Sequence, residues 1–307
     1  MSVRPLRNVA DSIRQRLLNK AKETGRPFGE LFQYYAMERF LYRLSQSAYA
    51  EKFVLKGALM LTTWRAPLSR STKDIDLLGQ LANDVETVST AVRELCRQVV
   101  DPDGIEFDPG TVRAERIVED ATYEGVRVRF RGRLGTARIS MQIDIGFGDI
   151  VIPGVQEIDY PTLLDHPIPR LRGYSRESTI AEKLEAMVRL GVLNSRMKDF
   201  FDIWLLSRQF DFNGRVLAMA IQQTFSRRGT QLPARPSALT SAFAKDPSKA
   251  TQWRGFMRKN RLESAPAELA EAIEAIASFI LPVTEALVAG RHFKAVWTAP
   301  GPWKKPV

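Results

Sequence analysis

The sequence predicts an α+β fold, in which a sheet-containing N-terminal half is followed by a mostly helical C-terminal half. Three strands are predicted, at about 112–118, 123–133 and 136–146. The last alternates apolar and polar residues cleanly, which is typical of a sheet with one buried face. From Glu177 onward the apolar residues recur at helical spacing instead. The 307 residues suffice for one large or two smaller domains, and we place the change of pattern near residue 172.

Helix breakers and capping residues define the elements of the N-terminal half. Gly25, Arg26 and Pro27 separate two helical segments, and Asp84 is placed to accept hydrogen bonds at a helix N-terminus. The predicted order is helices at 9–23 and 28–47, a strand at 53–55, a helix at 59–64, a loop at Pro67, a strand through Asp74 and Asp76, a helix from Asp84 to about Val100, and the three strands above.

The C-terminal half is predicted from helical periodicity and its interruptions. Helices are expected at 178–190 and 197–209 around a tight connection from Gly191 to Ser195. Residues 212–290 are mostly helical in pattern, with breaks at glycine and proline residues. The tail from Pro300 to Val307 is rich in proline and lysine, and we expect it to be loose.

Composition and charge restrict the class of protein. A formal net charge of +10 favours an anionic partner, of which nucleic acid is the commonest. Cys96 is the only cysteine, which excludes an intramolecular disulfide and fits a reducing compartment. The N-terminus lacks a signal-peptide pattern and no segment reaches the length of a membrane span, so a cytoplasmic location without a membrane partner is expected.

Two groups of basic residues are candidates for binding RNA. Residues 225–262 contain nine lysines or arginines and one acidic residue, with four aromatic residues between them. This pattern fits either a phosphate-binding patch or a solvated helical surface whose aromatic residues lie in the core. Arg127, Arg129, Arg131 and Arg133 alternate along a predicted strand and therefore line one face. The RNA-binding candidates are Arg127, Arg129, Arg131, Arg227, Arg228, Arg254 and Arg258.

The segment from residue 70 to residue 78 carries the strongest chemical signal. Asp74 and Asp76 are two residues apart in a predicted strand, so both carboxylates lie on one face and Ile75 on the other. Two adjacent carboxylates repel each other unless a cation lies between them, and a hard divalent cation is the usual solution. Upstream, the turn at Gly57 and Ala58 allows backbone N–H groups to approach a phosphate. The combination suggests metal-dependent nucleotidyl transfer.

A third carboxylate follows on the last of the three strands. The segment from Thr136 to Gly146 alternates cleanly, with Ile143 and Ile145 on one face and Gln142 and Asp144 on the other. On spacing alone, a surface aspartate at a strand end is the favoured explanation of Asp144.

Several motifs in one order resemble a known family. They are Lys56-Gly57-Ala58, then Arg70-x-Thr72-x-Asp74-Ile75-Asp76, then the segment from Ile143 to Asp149, Tyr160-Pro161-x-Leu163-Leu164, Ala181-Glu182-Lys183-Leu184 and the segment from Asn194 to Asp202. This set is similar to the AbiEii/AbiGii-type nucleotidyltransferase toxins of bacterial toxin–antitoxin and phage-defence modules. The resemblance covers about residues 50–210. Ala58 departs from the family pattern, which commonly has glycine or serine there.

The resemblance implies a fold, an activity and partners. The expected fold is a polymerase-beta-like nucleotidyltransferase core with a mixed sheet, followed by a helical domain. The implied division is an N-terminal helical segment at 1–50, the core at 51–172 and the helical domain at 173–307. The implied activity is transfer of a nucleotide from an NTP to RNA, most of all to the 3′ end of tRNA, which blocks translation. A cognate antitoxin is the implied protein partner.

The resemblance also assigns roles to individual residues. Asp74, Asp76 and Asp144 are the expected ligands of Mg²⁺ or Mn²⁺, with a base role for Asp144 as the alternative. The catalytic candidates are Asp74, Asp76, Asp144, Lys183 and Asp199, and the nucleotide-binding candidates are Lys56, Gly57, Arg70, Thr72 and Lys183. Lys183 and Asp199 come from the helical domain, and Asp202 is expected to be structural.

Two other readings of the same residues remain. The first is a nucleotidyltransferase that modifies a hydroxyl group of a protein or of a small molecule. The second is a non-catalytic module that binds a nucleotide or RNA through a degenerate site. The presence of all the candidate catalytic carboxylates and of Lys183 argues against the second reading.

Overall fold

The computed structural model describes residues 6–65, 70–120, 123–262 and 265–305, which form two compact units. The first unit comprises Met1–Arg65, Ser71–Gly148 and Gln156–Gly173, and the second comprises Ala66–Arg70, Asp149–Val155 and Tyr174–Val307. The helices are α1 (Leu6–Thr24), α2 (Phe28–Ser45), α3 (Leu59–Thr63), α4 (Val85–Arg97), α5 (Arg176–Leu190), α6 (Met197–Gln209), α7 (Gly214–Arg227), α8 (Ser241–Ala244), α9 (Pro247–Asn260) and α10 (Leu269–Val288). The strands are β1 (Phe53–Lys56), β2 (Asp74–Gly79), β3 (Ile105–Asp120), β4 (Tyr123–Leu134), β5 (Ala137–Phe147), β6 (Gln156–Asp159), β7 (Arg170–Gly173), β8 (Phe212–Asn213), β9 (Val296–Trp297) and β10 (Trp303–Lys304).

A mixed seven-stranded sheet forms the centre of the first unit. Its strand order is β3-β4-β5-β2-β1-β7-β6. The neighbours β2 and β5 are parallel, as are β1 and β7, while the other neighbouring pairs are antiparallel. The antiparallel strands β3, β4 and β5 thus form one side of the sheet, and β5 is the neighbour of β2 at its centre. The predicted α+β class, with a mixed sheet in the N-terminal half, is confirmed.

Strand alternation gives this sheet one apolar and one polar face. Val126, Val128 and Phe130 of β4 are buried, and they pack in a core that includes Phe40 of α2. The intervening arginines of β4 and the polar residues of β5 lie on the opposite face. The helices α1, α2 and α4 cover the apolar face. A binding or catalytic site on this sheet is therefore expected on the polar face.

The second unit is mostly helical. Helix α6 packs against α5 and α10, and α5 packs against α7. Asn213 begins α7 by accepting hydrogen bonds from the N–H groups of Arg215 and Val216. A small antiparallel sheet of order β10-β9-β8 closes this unit. The predicted helical character of the C-terminal half is therefore confirmed.

The structure differs from the predicted elements at three places. Strand β3 begins at Ile105, seven residues before the predicted start, because a register shift between Asp108 and Arg113 interrupts its alternation. The short strands β6 and β7 were not predicted. The tail contains β10, where the Trp303 ring stacks on the Phe279 ring with their centroids 5.5 Å apart, so the tail is anchored at Trp303 rather than loose. The loop predicted at Pro67 lies outside the described residues.

Candidate active site

Three of the predicted site residues come together on the polar face of the first unit. Asp76 of β2 lies directly opposite Asp144 of β5, and Asp74 lies opposite Gln142. Each of the three aspartates offers a carboxylate oxygen, and these atoms all lie within 4.8 Å of one another. Ile75, between the two β2 carboxylates, is fully buried on the other face. The alternation read from the sequence therefore places the three carboxylates side by side.

This cluster fits a hard divalent cation. Such ions bind carboxylate oxygens at about 2.0–2.6 Å, so oxygens that share one ion lie about 3–5 Å apart. The spacing of the three carboxylates meets that condition, and all three side chains are partly shielded from solvent. The donor set consists of oxygen alone, which suits magnesium-like rather than thiophilic metals.

Arg127 holds the third carboxylate of the cluster. It lies directly opposite Asp144 across β4 and β5. Its Nε donates to Asp144 Oδ1 and its Nη2 donates to Oδ2, both at 2.7 Å. This hydrogen-bonded pairing with Asp144 raises the pKa of the Arg127 guanidinium. The Arg127 guanidinium therefore lies beside the carboxylate cluster. This ion pair was not predicted from the sequence.

The turn after β1 approaches the same carboxylates. Gly57 has φ of +72°, and a Cβ atom there would lie 2.0 Å from Oδ2 of Asp76. Lys56 pairs in register with Asp76, so its side chain leaves the sheet on the same face. Thr72 donates from Oγ1 to Asp74 Oδ1 at 2.6 Å, and so fixes the orientation of that carboxylate. Glycine is therefore required at this turn.

The other predicted site residues belong to the second unit, where they form a buried ionic cluster. Lys183 Nζ of α5 lies 2.8 Å from Asp199 Oδ1 and 2.6 Å from Asp202 Oδ2, both on α6. Arg70 donates from Nε and Nη2 to the two oxygens of Asp202 at 2.9 and 3.0 Å. Arg196 Nε lies 2.9 Å from Asp199 Oδ2. Asp202 thus joins Arg70 to Lys183.

Burial and charge compete in setting the pKa values of this cluster. Burial disfavours the charged form of Lys183, but the carboxylates of Asp199 and Asp202 outweigh it and raise the pKa of the ammonium. Burial likewise opposes ionisation of Asp202, yet Arg70 and Lys183 lower the pKa of that carboxyl to about 2. The pKa of Asp199 is lowered against burial by Lys183 and Arg196. All three groups are therefore charged at neutral pH.

The candidate residues thus fall into two groups. Asp74, Asp76, Asp144 and the flanking Lys56, Gly57 and Thr72 surround one point of the first unit, whereas Arg70, Lys183 and Asp199 share the cluster of the second unit. Sequence reasoning missed the connecting role of Asp202. Its spacing of three residues from Asp199 places both carboxylates on one face of a helix, but it does not indicate their partners.

The predicted RNA-binding arginines have different surroundings. Arg129 pairs with Glu115 at 2.6 Å on the exposed sheet face. Arg228 is only 15% exposed and pairs with Asp149, Glu182 and Glu185. Arg254 is 58% exposed and lies 3.8 Å from Glu268. Arg131, Arg227 and Arg258 are exposed.

The aromatic residues between the basic residues of 225–262 are mainly part of the core. Phe225, Phe243 and Trp253 are buried, and Phe256 is partly exposed. Their spacing therefore reflects packing of the helical unit. The RNA-binding role of the arginines in this segment stays a prediction.

None of the helices in the described part of the chain has both the length and the apolar character needed to cross a membrane.

Comparison with known proteins identifies the family. The family described as "Nucleotidyl transferase AbiEii toxin, Type IV TA system" matches residues 39–278. The chain belongs to this family of nucleotidyltransferase toxins. No curated protein sequence is significantly similar to it.

Two solved structures from H. pylori are similar to the chain. One is a proposed nucleotidyltransferase, with 16% identity, a TM-score of 0.46, and coverage of 86% of this chain and 98% of the other. The second is JHP933, with 17% identity, a TM-score of 0.48, and coverage of 85% and 95%. These similarities are too distant to support an argument about activity.

Proposed function

We propose that the protein is a metal-dependent toxin that transfers a nucleoside monophosphate from an NTP to an RNA acceptor, with the 3′ end of tRNA as the first candidate. One observation carries the proposal: the carboxylate oxygens of Asp74, Asp76 and Asp144 converge within 4.8 Å beside the glycine turn of a chain from a nucleotidyltransferase family. The net charge of +10 supports an anionic acceptor.

The reaction forms one bond and breaks another at the α-phosphorus. The acceptor hydroxyl oxygen attacks, the bond to pyrophosphate breaks, and the hydroxyl proton passes to a base or to solvent. Mg²⁺ or Mn²⁺ held by the three aspartates would stabilise the negative charge of the triphosphate. In this proposal the backbone N–H groups of the turn at Gly57 would contact the phosphates, and Lys56 adds a positive charge on that face.

The family resemblance assigns the remaining charges, which belong to Lys183 and Arg70. Lys183, oriented by Asp199 and Asp202, is the candidate for neutralising the departing pyrophosphate. Arg70, held by Asp202, is the candidate for the β- and γ-phosphates. We assign residues 51–172 to the nucleotidyltransferase core and 173–307 to a helical domain that contributes Lys183 and Asp199. A cognate antitoxin and a cytoplasmic site of action complete the proposal.

The decisive experiment measures transfer directly. Purified protein is incubated with total tRNA, Mg²⁺ and each of the NTPs in turn, radiolabelled in the α-phosphate. Asp76→Asn is the inactive variant and Asp101→Asn, at an exposed carboxylate of the same unit, is the matched control. Label on tRNA with wild type and Asp101→Asn, but not with Asp76→Asn, is the expected result.

Two other outcomes would replace the proposal. Label on a protein or a small molecule, with none on RNA, would keep the chemistry and change the acceptor. Absence of label on every acceptor, with nucleotide binding retained, would favour a non-catalytic nucleotide-binding module.

A further inference from the structure

A basic cavity adjoins the carboxylate cluster of the first unit. It has a volume of about 830 Å³, and Asp74 forms part of its wall. Five cationic side chains line it against the single acidic one of Asp74. They are Lys73, Arg113, Arg129, Arg131 and Arg138. Because Asp74 also belongs to the carboxylate cluster, an anion bound among these cations would lie beside that cluster.

Most of the cations in this cavity are not neutralised by carboxylates. Arg129 pairs with Glu115 at 2.6 Å. Within the described part of the chain, Arg131 and Arg138 form no ion pair, and Arg113 donates only to the backbone carbonyls of Gly110 and Val112. Exposed guanidinium groups without a carboxylate partner are well suited to phosphate, which they bind with two donors each.

The sheet register sets the direction of the cavity. Along β5 the polar face runs from Asp144 through Gln142 and Ser140 to Arg138, and β4 places Arg131 opposite Ser140. At about 3.4 Å per residue, Arg138 lies about 20 Å from Asp144 along the strand. Gln142 also connects Arg129 to Asp144. Its Oε1 accepts from Arg129 Nε at 3.2 Å and its Nε2 donates to Asp144 Oδ2 at 3.4 Å. The row of charges is therefore long enough for more than one phosphate.

The cavity's volume and its lining indicate what form of polyanion it takes. A cavity of about 830 Å³ falls within the range of sites that hold ligands of nucleotide size. This volume is too small for a double helix. The two aromatic residues in its wall, Phe32 and Phe130, are only 5% and 2% exposed, so they offer little surface for base stacking. Binding would therefore depend on phosphate groups and not on base identity.

We propose that this cavity binds the backbone of a single-stranded RNA end, with Arg131 and Arg138 as its main phosphate contacts and the reactive terminus directed toward Asp74. The assignment rests on the proposed function in that the bound strand is its acceptor. It adds that recognition at this surface is independent of base sequence. It also gives Arg131 and Arg127 different roles: Arg131 contacts the RNA, whereas the Arg127 guanidinium is hydrogen-bonded to Asp144.

Binding can be tested without transfer, in EDTA and without NTP. A fluorescein-labelled single-stranded oligouridylate is titrated with protein at several salt concentrations and followed by anisotropy. The double variant Arg131→Gln/Arg138→Gln is compared with Arg170→Gln/Arg215→Gln, which removes the same net charge from exposed positions elsewhere. The cavity variant should bind at least about tenfold more weakly, with the salt slope reduced by about 1.4, while the control stays within about twofold of wild type.

The remaining outcomes overturn the inference. An equal loss in both double variants would mean diffuse attraction to net charge. Equal binding of a blunt RNA duplex, or equal displacement by polyglutamate, would mean that the surface is not specific for a single strand or for a nucleic acid. Because no nucleotide is transferred here, absence of transferase activity would refute the proposed function and leave this result intact.

Discussion

Arg127 and Asp144 face each other across β4 and β5, and both guanidinium-to-carboxylate hydrogen bonds measure 2.7 Å. The arginine thus provides a positive charge at the point where three carboxylates would otherwise repel one another. A divalent cation that binds Asp144 must share that carboxylate with Arg127. The charge of the arginine therefore opposes that of the ion, while its hydrogen bonds keep the carboxylate in place.

We predict that Arg127→Gln raises the affinity for Mn²⁺ by about tenfold, which corresponds to about 1.4 kcal/mol. Removing the competing charge accounts for the direction. The measurement is a Mn²⁺ titration followed by electron paramagnetic resonance, with Arg131→Gln as the control because it lies on the same face without contacting Asp144. A weaker affinity in Arg127→Gln would show instead that the arginine is needed to orient Asp144.

Gly57→Ala should damage the site more than it damages the fold. Its φ of +72° makes any side chain costly by about 1 kcal/mol, and the added Cβ would lie 2.0 Å from Asp76 Oδ2. Gly25→Ala is a matched control, since its φ is +67° and nothing lies within 4 Å of the added atom. Urea unfolding should show similar losses for both, whereas Mn²⁺ affinity should fall only for Gly57→Ala. Unchanged affinity would mean that Asp76 moves aside freely.

Lys183→Ala should reduce kcat of the proposed transfer by on the order of a hundredfold to a thousandfold, as expected for loss of one preorganised charge at a leaving group. Steady-state kinetics with a fixed acceptor checks this, and Lys245→Ala, at an exposed lysine of the same unit, serves as the control. A rise in KM at constant kcat would instead assign Lys183 to ground-state binding.

Acid should weaken the second unit through Asp202. The pKa of this carboxyl is about 2 in the folded protein and 3.8 otherwise, so the unfolded chain takes up the proton first as pH falls. The stability it contributes, on the order of 2 kcal/mol, is complete above about pH 4 and is lost as pH falls toward about 2.

Urea unfolding at about pH 6 and about pH 3 measures this contribution. Asp202→Asn should be less stable at the higher pH and should lose less stability on acidification than wild type. Glu274→Gln, at an exposed carboxylate of α10, should behave like wild type. An equal acid loss in Asp202→Asn and wild type would exclude Asp202 as its source.

Where one face of an element is buried, the sequence alone predicted the structure well. The alternation of Ile143, Asp144 and Ile145 predicted the polar face of β5, and that of Asp74, Ile75 and Asp76 did the same for β2. Their convergence required the pairing of β2 with β5. Period-two alternation does not encode which strands are neighbours, and only the family resemblance linked Asp144 to the other two.

Charge pairing and short edge strands were harder to predict. Neither Arg127 nor Asp202 could be assigned a partner from spacing, because Arg127 meets Asp144 across strands and Asp202 meets Arg70 from a distant segment. Strands β6 and β7 have four residues each, too few for a periodic signal. The tail was predicted to be loose from its prolines and lysines, a composition that gives no sign of the stacking of Trp303 on Phe279.

The parallel pairing of β2 with β5 also determines when the carboxylate cluster can exist during synthesis. Helix α4 and strands β3 and β4 lie between the two strands in sequence, so this pairing closes a long loop and forms only after β5 has left the ribosome. A nascent chain that has emerged only as far as α4 carries Asp74 and Asp76 without Asp144. The topology therefore delays assembly of the three-carboxylate cluster until β5 has been synthesised.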